Sequence, residues 1–144
     1  MARKAADLDS IIRLRDWIVD QRRRELGALQ AREDQLIAYG QELGRQIVRE
    51  GKVALADPAS AGFMFGAFAE DHKKRREKLA NMLAAIRHEV EEARERLAQA
   101  FRERKTMEEV QKHRAEREQL EADRKEQSEL DEVAANQFAR KNSV

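Results

Sequence analysis

Apolar residues fall at heptad spacing over two stretches of the chain. The first seam runs through Leu8, Ile12, Val19, Leu26, Leu29, Leu36, Leu43 and Ile47, in steps of three, four and seven. Such steps place the residues on one stripe of an α-helix and suit a coiled-coil partner. Arg15, Arg22, Glu33 and Gly40 interrupt the seam. Asp7 or Asp9 is suited to cap the start, because a short carboxylate accepts hydrogen bonds from the free N–H groups there. Gly51 is suited to end the helix, since glycine enters the left-handed conformation without a Cβ clash. The second seam is Phe65, Ala69, His72, Leu79, Leu83, Ile86, Val90, Ala93, Leu97, Ala100 and Met107. Beyond Met107 the same register reads Gln111, Arg114, Glu118, Glu121, Lys125 and Ser128, so the apolar seam stops while helix-forming residues continue to about Arg140. Pairs such as Glu92–Arg96, Glu108–Lys112 and Glu121–Lys125 support a solvated helix by a few tenths of a kcal/mol each.

Between the seams, from about Gly51 to Gly66, lies an interruption holding the only proline, Pro58, behind Asp57. Asp-Pro reads as N-cap followed by first helical residue. The expected elements are a helix over about 7–50, a connector over about 51–66 and a helix over about 67–140. The first helix then spans roughly 68 Å at 1.5 Å per residue. Folding at the connector brings Leu8 opposite Met107 to Val110, where the second seam ends. The fold expected is all-α: a long antiparallel two-helix coiled-coil hairpin with an overhanging C-terminal helix, one domain over residues 1–144.

Composition agrees. Charged residues make up 40% of the chain and aromatics 5%. More than half of the residues are Ala, Glu, Lys, Leu or Arg, as in long helices. So polar a chain, with one proline and six glycines, does not suit a β-sandwich or an α/β enzyme fold. The absence of cysteine excludes thiol catalysis, Cys-ligated zinc and disulfides. Lys plus Arg number 29 against 28 Asp plus Glu, with no large local excess, which argues against nucleic-acid binding. No apolar run reaches the ~20 residues that span a bilayer, so no membrane insertion is expected. No apolar stretch follows Met1-Ala2-Arg3-Lys4, so no secretory signal is expected.

Candidate chemistry is sparse. His72, His88 and His113 are too far apart for a helical metal pair, and no phosphate loop is present. No catalytic residue, metal or cofactor is expected, and the chain reads as a non-enzyme. The run His72-Lys73-Lys74-Arg75-Arg76 is either a site for phosphate or an acidic partner, or a solvated turn balanced by Glu70, Asp71 and Glu77.

Apolar residues outside the seams are more informative. One partner helix covers one stripe, which leaves Ile11, Leu14, Trp17 and Ile18 uncovered; an exposed Trp beside Ile and Leu suits an interface anchor. Dimerisation through this face, or a different register, are the alternatives. Phe63, Met64, Phe65 and Phe68 form a second cluster, with Tyr39 near it. They either plug the hairpin end or bind a partner. Gly40 and Gly44 weaken the helix nearby.

The chain resembles the FliJ family of flagellar type III export proteins. The resemblance rests on the opening Leu8-Asp9-Ser10-Ile11-Ile12-Arg13-Leu14-Arg15-Asp16-Trp17 and on Ala93-Arg94-Glu95-Arg96-Leu97 through Arg104-Lys105-Thr106-Met107-Glu108. It rests also on the ending Glu129-Leu130-Asp131-Glu132-Val133-Ala134-Ala135, followed by Arg140, and covers nearly the full length. It implies a cytoplasmic component, peripheral at the cytoplasmic face of the inner membrane. Such a component resembles the central stalk of rotary ATPases. Its implied partners are the export ATPase hexamer, the membrane protein of the export gate, and export chaperones. Injectisomes use related proteins, and the residues do not separate the two systems. The expected ATPase contacts are Ile11, Leu14, Trp17 and Ile18, with Leu130, Val133 and Phe138. The expected gate contacts are Gln35, Tyr39, Phe65, Phe68 and His72. The competing reading is a homodimeric coiled-coil scaffold or tether unrelated to export.

Overall fold

The computed structural model describes residues 2–143; of these, residues 2–7 and Ser60 are described by backbone alone. Two helices account for nearly all of it: α1 (Ala2–Ala56) and α2 (Pro58–Asn142). They pack against each other as an all-α hairpin.

The link between the helices is shorter than the sequence suggests. The sixteen-residue connector expected over 51–66 is helical except at Asp57. Gly51 does not cap α1, and no glycine has a positive φ. Instead the Phe65 ring packs over Gly51, 3.8 Å from where a Cβ would stand. A Cβ there would meet the ring at ordinary van der Waals distance, so neither a turn nor the packing requires glycine at this position. The reversal falls at Asp57 because Pro58 has no N–H to donate and disfavours helical geometry in the residue before it. Asp57 N–H donates to the Val53 carbonyl at 3.2 Å, and its own carbonyl accepts from Ala61 N–H at 3.0 Å. At the other end, α1 starts at Ala2 rather than near residue 7. Asp9 is therefore inside the helix and accepts a hydrogen bond from Gln111 Nε2 at 2.9 Å. The side chain of Asp7 lies outside the described residues.

The chain divides into two units, Met1–Asp16 with Arg102–Val144, and Trp17–Phe101. In the first, Leu8 is buried and Met107 half-buried. Arg15, at a seam position, reaches Glu103 at 2.8 Å, and Asp16 pairs with Arg104 at 3.6 Å. Residue 15 opposite 103, and 9 opposite 111, is close to the antiparallel register that the two seams imply. Every described side chain of α2 from Ala115 onward is exposed. The apolar seam has nothing to cover there, as its end at Met107 led one to expect.

The second unit holds most of the core. Val19, Leu43, Leu79, Ile86, Val90, Ala93 and Ala100 are buried, with Val19 and Leu43 the largest fully enclosed side chains. Leu26, Leu29, Leu36, Ile47, Leu83 and Leu97 are half-buried, so both seams face inward throughout this unit. Gly40 breaks the first seam for a packing reason: a Cβ there would stand 3.0 Å from Leu79 Cδ2. Charged side chains bridge the rims. Glu33 meets Arg87 at 3.3 Å, Glu25 meets Arg96 at 3.9 Å, and Arg23 lies 5.1 Å above the Phe101 ring. Arg96 thus reaches across to Glu25, while Glu92 meets His88 at 3.0 Å. Such exposed pairs contribute little each, about 0–1 kcal/mol.

Candidate functional site

Among the described residues no cluster of three or more His, Asp or Glu is placed to hold a metal ion. Nor is any helix of the described residues long and apolar enough to cross a membrane. What the structure offers is surface: apolar side chains that the hairpin leaves uncovered, and shallow grooves beside them.

In the first unit, Ile11 and Leu14 are exposed on the side of α1 turned from the seam, at 40% and 53%. The exposed length of α2 carries Leu130, Val133 and Phe138, at 57%, 53% and 68%. Leu130, Val133, Ala134, Gln137 and Phe138 follow at helical spacing and make one stripe, bordered by Glu129 and Asp131. In the second unit, Trp17 is exposed and Ile18 half-buried beside the buried Val19. Each of the four on α1 is therefore more open than the seam residue next to it. Trp17 is more than half exposed, so truncating it costs little core packing, as suits an interface anchor.

The second group sits differently. Phe65 and Phe68 are half-buried and stack with ring centroids 6.5 Å apart, and Phe68 lies 6.0 Å from the His72 ring. His72 is buried, and its Nε2–H donates to the Leu43 carbonyl at 2.7 Å. A backbone carbonyl can only accept, so the proton sits on Nε2. His72 is therefore engaged inside the hairpin. Above it a groove of about 510 Å³ opens, lined by Ile47, Phe65, Ala69, Lys73 and Arg76. Lys73 and Arg76 lie on continuous helix, as does the whole basic run; it is not a turn. Arg75 is tied to Asp71 at 3.0 Å. Gln35 is exposed on α1. Tyr39, also exposed, lines a separate groove with Arg75, Lys78, Leu79 and Met82. Phe65, Phe68 and His72 come together; Tyr39 and Gln35 do not join them in one pocket.

The most exposed apolar side chains of this unit are ones the sequence did not place in a site. Phe63 is 91% exposed, Leu55 82% and Met64 72%, with Val48 and Val53 also open. Phe63 and Met64 stood in the phenylalanine cluster, but heptad spacing cannot say which of four adjacent apolar residues turns outward. Leu55 carried no signal because the helix was expected to end before it. Also on α1, Glu42 accepts from Arg45 Nε at 3.0 Å and from Arg49 at 2.9 Å. These hydrogen bonds, led by that of Arg45, hold the Glu42 carboxyl below its ordinary range.

No curated protein and no solved structure matches the chain. The model of one protein family, described as flagellar FliJ protein, matches residues 4–143. The match takes in both helices and their link, with the exposed stretch of α2 as well as the packed one, and the chain belongs to the FliJ family of flagellar proteins.

Proposed function

We propose that this chain is a non-enzymatic component of the flagellar protein export apparatus, a coiled-coil stalk linking the export ATPase ring to the export gate. In this role it assists delivery of chaperones and substrates, at the cytoplasmic face of the inner membrane. Family membership supports the export setting. The observation that carries the linking role is the apolar surface left after the helices have packed, in two groups of different construction. One is a set of side chains outside the seams: Ile11 and Leu14 with Leu130, Val133 and Phe138 in the first unit, and Trp17 and Ile18 in the second. It meets the ATPase. The other is the aromatic groove at Phe65, with Phe68 beside it, together with the separate exposed positions Tyr39 and Gln35 on α1; these meet the gate. His72 positions Phe68 from beneath through its hold on Leu43.

The two groups predict separable losses. Trp17→Ala is expected to leave the melting temperature nearly unchanged and to weaken binding to the purified export ATPase. Phe65→Ala with Phe68→Ala is expected to spare ATPase binding and weaken binding to the cytoplasmic part of the gate protein. Because these rings are half-buried, some stability is lost as well, less than the roughly 3–5 kcal/mol of a fully buried ring. Gate binding that stays intact while the fold collapses would show that the phenylalanines only close the hairpin.

A further inference from the structure

On the outer face of α1, turned from α2, Gln41, Gly44, Arg45 and Val48, with Arg49, line a hollow of about 440 Å³. The spacing of the first four is i, i+3, i+4, i+7. That is the four-residue hole which receives a knob in a coiled coil. Gly44 makes the hollow: nothing lies within 4 Å of where its Cβ would be. The hollow continues a second stripe along α1, in which Ile37, Val48 and Leu55 are exposed at 37%, 55% and 82%. Steps of four, three, four and seven connect Ile37, Gln41, Gly44, Val48 and Leu55, so this back face has coiled-coil spacing of its own. All five of these residues are exposed.

Charge selects an occupant. Arg45 and Arg49 line the hollow and share Glu42 as an ion-pair partner, and Lys52 follows them at helical spacing. The exposed end of α2 has the opposite pattern. From residue 126 to 138 it carries Glu126, Glu129, Asp131 and Glu132 and no basic residue, beside its apolar stripe of Leu130, Val133, Ala134 and Phe138. We propose that the hollow at Gly44 receives the C-terminal segment of a second copy of this chain, with Leu130, Val133 or Phe138 as the knob and the acidic side chains against Arg45, Arg49 and Lys52. Each copy then offers one hollow and one knob segment. The association is head-to-tail, and copies add without a set stop unless the arrangement closes on itself. The knob residues are those of the proposed ATPase contact, so a second copy and the ATPase compete for them. The self-association is tested on the purified chain alone, and its outcome does not depend on the export reading.

The experiment is light scattering of the purified full chain over a range of concentration and salt. The mass is expected to rise above 16.7 kDa with concentration and to fall back in about 1 M salt, where screening shortens to ~3 Å. Gly44→Leu fills the hollow without touching the core, and Val48→Lys blocks it independently. Leu130→Asp with Phe138→Asp destroys the knob on a solvated helix. Each variant is expected to keep its helical circular dichroism and to stay monomeric by itself. Mixing Gly44→Leu with the double Asp variant restores one intact hollow and one intact knob, so a one-to-one complex and nothing larger is expected. A chain monomeric at every concentration overturns the proposal. So does association that survives both hollow variants, or a mixture that stays monomeric.

Discussion

Gly40 and Gly44 lie one helical turn apart on α1 and meet opposite surroundings. From sequence both are weak points, each costing about 1 kcal/mol against alanine in a helix interior. In the structure Gly40 lets Leu79 approach, whereas Gly44 faces open space. Gly44→Ala is therefore expected to stabilise the protein by about 0.5–1 kcal/mol. Gly40→Ala is expected to gain less, because the new methyl group forces Leu79 aside by a few tenths of an ångström. Thermal melting of the two variants checks this; equal gains would mean that Leu79 moves without cost. His72 shows the same dependence on surroundings. In the sequence it could be contact or seam; its bond to the Leu43 carbonyl makes it part of the packing.

At the scale of elements, the two helices are alike in sequence and unlike in support. Along α2 from His72 to Ala100, apolar residues are buried or half-buried at nearly every seam position. Past Ala115 every described side chain of the helix is exposed, and side-chain pairs such as Gln119–Asp123 and Gln127–Asp131, each at 3.0 Å, support it. Substitutions should separate these regimes. Leu97→Asp puts an unpaired carboxylate into the seam and is expected to destabilise by several kcal/mol. Glu121→Ala is expected to stay within about 0.5 kcal/mol of the parent, as for surface positions generally. Chemical denaturation of both variants is the check. Similar losses would mean that the end of α2 is packed against something in solution.

At the scale of the whole molecule, stability is expected to grade along the chain, because each part of a helical hairpin rests only on what lies across from it. Hydrogen exchange should be slowest around Ile86, Val90 and Ala93, where burial is deepest. It should be fastest in α2 beyond Ala115. Uniform protection over residues 72–142 would contradict the grading. A polar chain suits this layout: with 40% charged residues it covers one narrow seam and leaves the rest to water.

The sequence by itself determined the seams, their facing register, the stop of the second seam at Met107 and the solvated helix after it. Heptad spacing is a local property, and a helix turns it into a stripe without help from distant residues. The same spacing marked Ile11, Leu14 and Trp17 as surplus, and they are exposed. Tertiary structure decided what depends on a neighbour across the hairpin. Gly51 read as a helix end, yet the helix runs past it to Ala56, with the Phe65 ring packed beside it. Sequence proposed a sixteen-residue connector, and Pro58 confined the break to Asp57. Among Phe63, Met64, Phe65 and Phe68, only the packing on α1 determined which rings are shielded and which face water. A backbone turn and a side chain's exposure are set by what occupies the adjacent volume, and one chain read in order does not contain that volume.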